Sequence, residues 1–157
     1  MNRESRVREF TETDRPGCAR VLTTLPDWFG IEEANTAYIE ILGRIPTAVV
    51  EVGGEILGFA GLEQHNQASV ELHILAIDHD HHHRGLGSAL ITWSQSWCLQ
   101  AGVRWLHVKT RGPSTPDPGY ERTRKFYRAQ GFEELFESLT LWGADDAALV
   151  MVKKLDP

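Results

Sequence analysis

Apolar positions along this chain alternate between a period near two and a period near 3.6, and the switches mark out its elements. Arg6 to Phe10 reads as a short strand. Thr13 and Asp14 offer a cap, Pro16 suits a first turn, and a helix follows to about Leu25. The segment Leu25-Pro26-Asp27-Trp28-Phe29-Gly30 breaks it. Ala34, Ala37, Tyr38, Ile41 and Leu42 recur at helical spacing, which predicts a second helix over Glu32 to Leu42, stopped by Pro46. Ala48 to Val52 and Ile56 to Leu62 flank Gly53-Gly54, the chemistry of a tight antiparallel hairpin. Val70 to Ile77 is a longer strand, apolar on both faces except near Glu71 and His73.

From Gly85 a helix is expected to about Ala101, with Leu86, Ala89, Leu90, Trp93 and Trp97 on its apolar face and Gly102 at its end. Trp105 to Lys109 is a strand, and Arg111 to Gly119 is a loop of turn formers. A helix near Tyr120 to Gln130, closed by Gly131, precedes two strands, Phe132 to Leu141 and Ala147 to Leu155. The order β-α-α-β-β-β-α-β-α-β-β predicts an α/β (α+β) fold. Its central sheet is mixed and largely antiparallel, flanked by helices, with at least one crossover.

At 157 residues the chain is read as one domain, residues 1–157. Hydrophobic residues at 41% and charged residues at 24% exclude a disordered or fibrous protein. The charged start Met1-Asn2-Arg3-Glu4-Ser5-Arg6 carries no secretory signal, and no apolar run has the length of a membrane span. Cys18 and Cys98 have neither a disulfide-framework nor a metal-type spacing, so a reducing cytoplasm is expected. A net charge of −6 argues against a nucleic-acid partner and mildly favours a cationic small substrate.

The densest chemical signal is His82-His83-Arg84-Gly85-Leu86-Gly87-Ser88-Ala89-Leu90, placed between a strand and an amphipathic helix. Free N–H groups in a first helical turn, glycines that let a ligand approach, and the Arg84 charge suit a phosphate or pyrophosphate. Leu90 stands where a Rossmann fingerprint needs Gly or Ala, and the Gly-Lys-Ser/Thr of a P-loop is missing. What is left resembles the acyl-CoA pyrophosphate loop of the GCN5-related N-acetyltransferases, Gln/Arg-x-x-Gly-x-Gly/Ala, falling here on His82, Gly85 and Gly87. The family's second motif, Phe-Tyr followed by Gly-Phe, is matched by Phe126-Tyr127 and Gly131-Phe132. The chain departs from the pattern at His82, where Gln or Arg is usual, and at Tyr120, where many members have an Asn on the pantetheine arm.

This resemblance implies a GNAT-like acyl-CoA N-acyltransferase fold, acetyl-CoA as acyl donor, no metal, and direct transfer of an acetyl group to a primary amine. It implies that CoA contacts Leu75, Ala76 and Ile77 through strand backbone, and His82, His83, Arg84, Gly85, Leu86, Gly87 and Ser88 through the loop. On the last long helix Tyr120, Thr123, Arg124 and Tyr127 share one face by their spacing. That face is expected to line the cleft, with Arg124 on a CoA phosphate, on an anionic group of the acceptor, or in a surface ion pair.

Tyr127 is the general acid that the resemblance implies, since a phenol (~10) stays protonated where a thiol (~8.5) begins to ionise. On spacing alone a packed tyrosine with a satisfied hydroxyl is the favoured reading, and the Phe-Tyr and Gly-Phe context reverses it. Glu71 is the candidate base, since a carboxylate in an apolar strand must be paired or face a wet cleft. Its low ordinary pKa calls for a water relay, and a salt bridge is its bland reading. His73, two residues on and on the same strand face, is the competing base. Cys18 and Cys98, on helices away from the motifs, argue against an acyl-enzyme.

Asp78-His79-Asp80-His81-His82-His83 reads as a polar surface turn, because consecutive turn residues point apart and a metal site needs converging ligands. Trp28 and Phe29 either flank the acceptor pocket or pack on the core. The partners expected are a small-molecule amine or a peptide or protein amine, with no nucleic acid and no membrane; a homodimer is compatible. The alternative is a non-catalytic acyl-CoA-binding or sensor domain.

Overall fold

The structure, a computed structural model, describes residues 4–157, so Met1-Asn2-Arg3 of the charged start lie outside the described residues. Hydrogen-bonded ladders order seven strands, Ser5–Glu9, Thr47–Val52, Glu55–Gln64, Ser69–Ile77, Trp105–Arg111, Ala148–Lys154 and Glu133–Ser138. Two compact units divide the chain: residues up to Glu63 with His73–Ser96, and Gln64–Leu72 with Trp97–Pro157.

In the first unit β1 (Ser5–Glu9) pairs antiparallel with β2 (Thr47–Val52), Val7 opposite Val50. The β2 strand pairs antiparallel with β3 (Glu55–Gln64), Val49 opposite Phe59. Gly53 and Gly54 turn this hairpin at φ of 60° and 84°, left-handed backbone that residues with a Cβ resist. Helix α1 (Arg15–Thr23) sets Cys18, Val21 and Leu22 against Val49, Ile56, Phe59, Ile74 and Ala76. Phe59, fully buried there, contributes about 3 kcal/mol by its removal from water. Helix α2 (Glu32–Ile41) buries no residue completely and leans on the same core through Tyr38 and Ile39.

The strand β4 (Ser69–Ile77) and helix α3 (Leu86–Gln100) each contribute to both units. In the second unit Ser69, Val70 and Glu71 of β4 pair parallel with Trp105, Leu106 and His107 of β5 (Trp105–Arg111). The β5 strand then runs antiparallel to β7 (Ala148–Lys154), which also pairs with the exposed edge strand β6 (Glu133–Ser138). Leu106, Val108 and Thr110 of β5 are buried, which leaves Trp105, His107, Lys109 and Arg111 on the opposite, wetter face. Helix α4 (Pro118–Ala129) starts at Asp117, whose Oδ1 accepts from the backbone N–H of Gly119 at 2.9 Å and of Tyr120 at 3.3 Å.

Four expectations are corrected in detail. Asp14 precedes α1 but does not cap it with its side chain; its carboxylate accepts from Thr11 N at 2.8 Å and is forked by Arg8 at 2.7 and 2.8 Å. The second helix stops before Gly43, at φ 84°, rather than at Pro46. Helix α4 begins two residues before Tyr120, because Pro118 is pre-set for a first turn and lacks the N–H that would need a partner. The buried stripe of α3 is Leu86, Leu90, Ile91, Ser94 and Cys98, with Trp93 and Trp97 half-buried beside it. Ser94 tolerates full burial because its hydroxyl donates to the carbonyl of Leu90 at 2.8 Å.

Candidate active site

The anion-type loop lies in the first unit. His82 is turned inward, its Nε2 donating to the carbonyl of Ile77 at 2.9 Å and its ring edge-on to Trp28 at 6.1 Å. This imidazole ties the loop back to the end of β4, a task for a side chain at the position where the family pattern has Gln or Arg. His83 then adopts φ 62° and Gly85 φ 80°, two left-handed residues that reverse the chain into α3. A Cβ placed on Gly85 would meet no atom within 4 Å, so glycine is demanded there by backbone conformation and the space beyond it is open. His83, Arg84 and Gly85 are exposed, Leu86 is buried as the loop's anchor, and Gly87 and Ser88 are half-buried in the first turn. Exposed amides at the positive end of a 15-residue helix, beside Arg84, fit a diphosphate.

The histidine run before the loop is organised by an ion pair. Asp78, buried, takes Nη1 of Arg20 at 2.8 Å, Nδ1 of His81 at 3.1 Å and the amide of Asp80 at 3.0 Å. Burial alone would raise its pKa, but Arg20, His81 and that amide pull it down to about 2. The carboxylate with the best position to hold a cation in this run is therefore already engaged. Trp28 and Phe29 pack against the first unit's core, and Phe29 meets Tyr38 edge-on at 5.8 Å.

Along β4, His73, Leu75 and Ile77 are half-buried and alternate with buried Ile74 and Ala76. His73 faces Glu63, 3.4 Å from its Nδ1, and stacks obliquely with Tyr38 at 5.4 Å.

Glu71 belongs to the second unit and is surrounded by cations and donors. Nε2 of His65 lies 2.8 Å from its Oε1, and Nζ of Lys109 lies 3.3 Å from the same oxygen. Burial by itself raises the carboxyl pKa; the His65 hydrogen bond and the Lys109 charge outweigh it, so Glu71 is held below the usual carboxylate range. His107 is its register partner on β5, and Ser69 Oγ contacts His107 Nδ1 at 3.1 Å. Burial lowers the His107 pKa more than the Glu71 charge raises it, which favours its neutral ring. The paired reading of Glu71 is what the geometry shows: a buried carboxylate held by His65 and Lys109.

His65, Ser69, His107 and Lys109 were not singled out from sequence. For two of them the signal was present, because His107 and Lys109 share the wetter face of an alternating strand. Their meeting with Glu71 needed the parallel register, and that of His65 needed the turn at 65–68, where Asn66 Oδ1 accepts from Ala68 N at 2.8 Å.

On α4, Tyr120 and Thr123 are half-buried while Arg124 and Tyr127 are buried, so the four share the inner face. Tyr127 sits between the rings of Phe126 and Phe132, at 5.4 and 5.5 Å, and burial pushes its pKa well up, with Tyr120 adding to the rise. Tyr120 lies under the Arg111 guanidinium, 5.1 Å from the ring centroid. Among the described residues Arg124 makes no ion pair: it is buried and its Nη1 donates to the carbonyl of Arg111 at 2.7 Å. Arg111 itself reaches Asp146 at 3.0 Å and Asp117 at 3.5 Å, so one residue ties the end of β5 to the start of α4. Burial raises the thiol pKa of Cys18 to about 12 and of Cys98 to about 11, leaving neither as a thiolate nucleophile.

Residues 44–134 match the family model described as "Acetyltransferase (GNAT) domain". No curated protein matches the chain in sequence. Among solved structures, a GNAT-family protein from Desulfovibrio desulfuricans is similar with a TM-score of 0.86 at 19% identity, over 98% of this chain and 100% of that one. The ribosomal-protein-S18-alanine N-acetyltransferase of Escherichia coli is similar at 0.77 and 18%, over 98% and 96%. An aminoglycoside 6'-N-acetyltransferase complexed with coenzyme A is similar at 0.78 and 16%, over 97% and 98%.

Proposed function

This chain belongs to the GNAT acetyltransferase family, and we propose that it transfers an acetyl group from acetyl-CoA directly to a primary amine. The observation that carries the proposal is the buried, ionised Glu71 with His65 and Lys109 on one oxygen, on the strand that leads to the glycine loop. A stably charged carboxylate suits a base that acts through water, because it attracts an ammonium ion and orients the relay.

Acetyl-CoA supplies the thioester carbon and a thiolate leaving group. Glu71, through a water, takes a proton from the acceptor ammonium, and His73 is the competing acceptor of that proton. The freed nitrogen lone pair forms the C–N bond, the C–S bond breaks, and the second amine proton leaves for solvent by the same relay. The Tyr127 hydroxyl, kept protonated by burial, gives its proton to the departing sulfur and is reprotonated from water, while Glu71 returns its proton to solvent, so one proton is released per turnover.

The amides of Arg84 to Ser88 hold the diphosphate, with Leu75, Ala76 and Ile77 offering strand backbone to the pantetheine arm. Tyr120, Thr123 and the buried Arg124 form the α4 side, Arg124 by positioning Arg111 rather than by direct charge. The acceptor is a small-molecule or peptide amine; the net charge of −6 favours a cationic one. A cytoplasmic site of action accords with thiols kept reduced.

A CoA-release assay over a panel of polyamines, aminoglycosides, amino acids and peptides tests this. Turnover on at least one amine is the expected result. Tight acetyl-CoA binding without turnover on any would instead establish the non-catalytic binding domain.

A further inference from the structure

The cluster around Glu71 holds a second chemistry. Donor atoms of His65, Glu71 and His107 all lie within 4.8 Å of one another, entirely inside the second unit. Two imidazoles and one carboxylate are the ligand set of an open zinc site, which completes its tetrahedron with water. Each donor is fixed by backbone: Glu71 and His107 by their pairing across β4 and β5, His65 by a turn in which its N–H donates to Ser69 O at 3.1 Å. Ser69 Oγ contacts Nδ1 of His107 at 3.1 Å, a neighbouring group that fixes the orientation of this ring. The His65 and His107 rings lie 5.4 Å apart, close enough for one ion to reach both.

We propose that His65, Glu71 and His107 form a binding site for a single divalent zinc-type ion. The ion takes the place of the proton that His65 Nε2 shares with Glu71 Oε1, and a water fills the fourth position. Lys109 opposes it, being 3.3 Å from the same carboxylate oxygen, so binding requires its ammonium to swing away. Its side chain is about one-third exposed on a flexible stem, so that movement is open to it. The site is therefore reversible rather than structural. Because it consumes Glu71, an ion there also stops acetyl transfer; that consequence rests on the function proposed above, whereas binding does not.

The test uses the full chain with His79 and His83 replaced by Gln, which removes the exposed imidazoles of the histidine run. Zn²⁺ is titrated by calorimetry, and Co²⁺ is followed by its visible absorption, intense only in tetrahedral coordination. One equivalent should bind with a tetrahedral Co²⁺ spectrum. His65→Ala and His107→Gln should each lose the spectrum and at least tenfold in affinity, while Lys109→Met should bind several-fold more tightly. His65 lies in an exposed turn, so its variant tests the site even if the β5 variant unfolds, and circular dichroism reports which has folded. Affinity unchanged in His65→Ala, octahedral Co²⁺, or no saturable binding would overturn the proposal. None of these readouts uses acetyl-CoA, so loss of the site and loss of the acetyltransferase reading are separable.

Discussion

Lys109 places its ammonium nitrogen 3.3 Å from Oε1 of Glu71, so the buried carboxylate shares one oxygen between a lysine and His65. Removing the negative charge at constant shape isolates its chemical role. Glu71→Gln should lower kcat by about 10² to 10⁴-fold, the usual contribution of general acid–base groups, while leaving CoA affinity unchanged. His73→Ala should cost far less, since His73 faces Glu63 and Tyr38. Steady-state kinetics of both variants on the same amine check this; a larger loss for His73→Ala would move the base to that residue.

Tyr127 packs its ring between Phe126 and Phe132, and its hydroxyl bonds no other described residue. Tyr127→Phe should therefore keep the melting temperature within a few degrees and retain acetyl-CoA affinity. The chemical step should slow by about 10²-fold or more, because the thiolate then departs without a proton. Single-turnover kinetics and calorimetry separate the two, and unchanged turnover would remove the phenol from the mechanism.

The fold was legible because its punctuation is chemical. Gly53-Gly54, Gly102, Gly131 and the switch of period at Gly85 mark boundaries that the backbone honours. Tyr127 and the glycine loop stand out in the sequence for the same reason, being local motifs. The surroundings of Glu71 do not. His65 and Lys109 lie six and 38 positions from it in sequence and meet it only through a turn and a parallel ladder, which single-sequence patterns do not encode. The inner face of α4 was legible from periodicity, but the carbonyl of Arg111 that receives the Arg124 guanidinium was not, because periodicity gives a helix face and no partner.

Gly85 combines φ 80° with empty space around its missing Cβ, so Gly85→Ala is a purely conformational change. Left-handed backbone costs a residue with a Cβ about 1 kcal/mol or more, which should loosen the loop without unfolding the helix behind it. CoA affinity should fall several-fold, while affinity for dephosphorylated pantetheine should not change. Calorimetry with both ligands checks this: an equal fall for the two would detach the loop from the diphosphate.

Arg20 and Asp78 give the fold a specific acid sensitivity. The carboxyl of Asp78 titrates at about 2 in the folded chain, against 3.8 for an ordinary aspartate. A folded-state pKa below the unfolded one means that the unfolded chain binds the proton first. The stabilisation is thus complete above pH 4 and is lost as pH falls from about 4 toward 2. The shift corresponds to about 2 kcal/mol, a sizeable part of the stability of a single domain. Asp14, held low mainly by the hydrogen bond from Arg8, acts in the same direction. Urea denaturation at pH 5, 4, 3 and 2 should show the wild type losing more stability than Asp78→Asn, whose amide cannot ionise. Arg20→Met should lie between them, because His81 and the Asp80 amide still favour the charged form. Parallel curves for wild type and Asp78→Asn would place the acid sensitivity in other carboxylates.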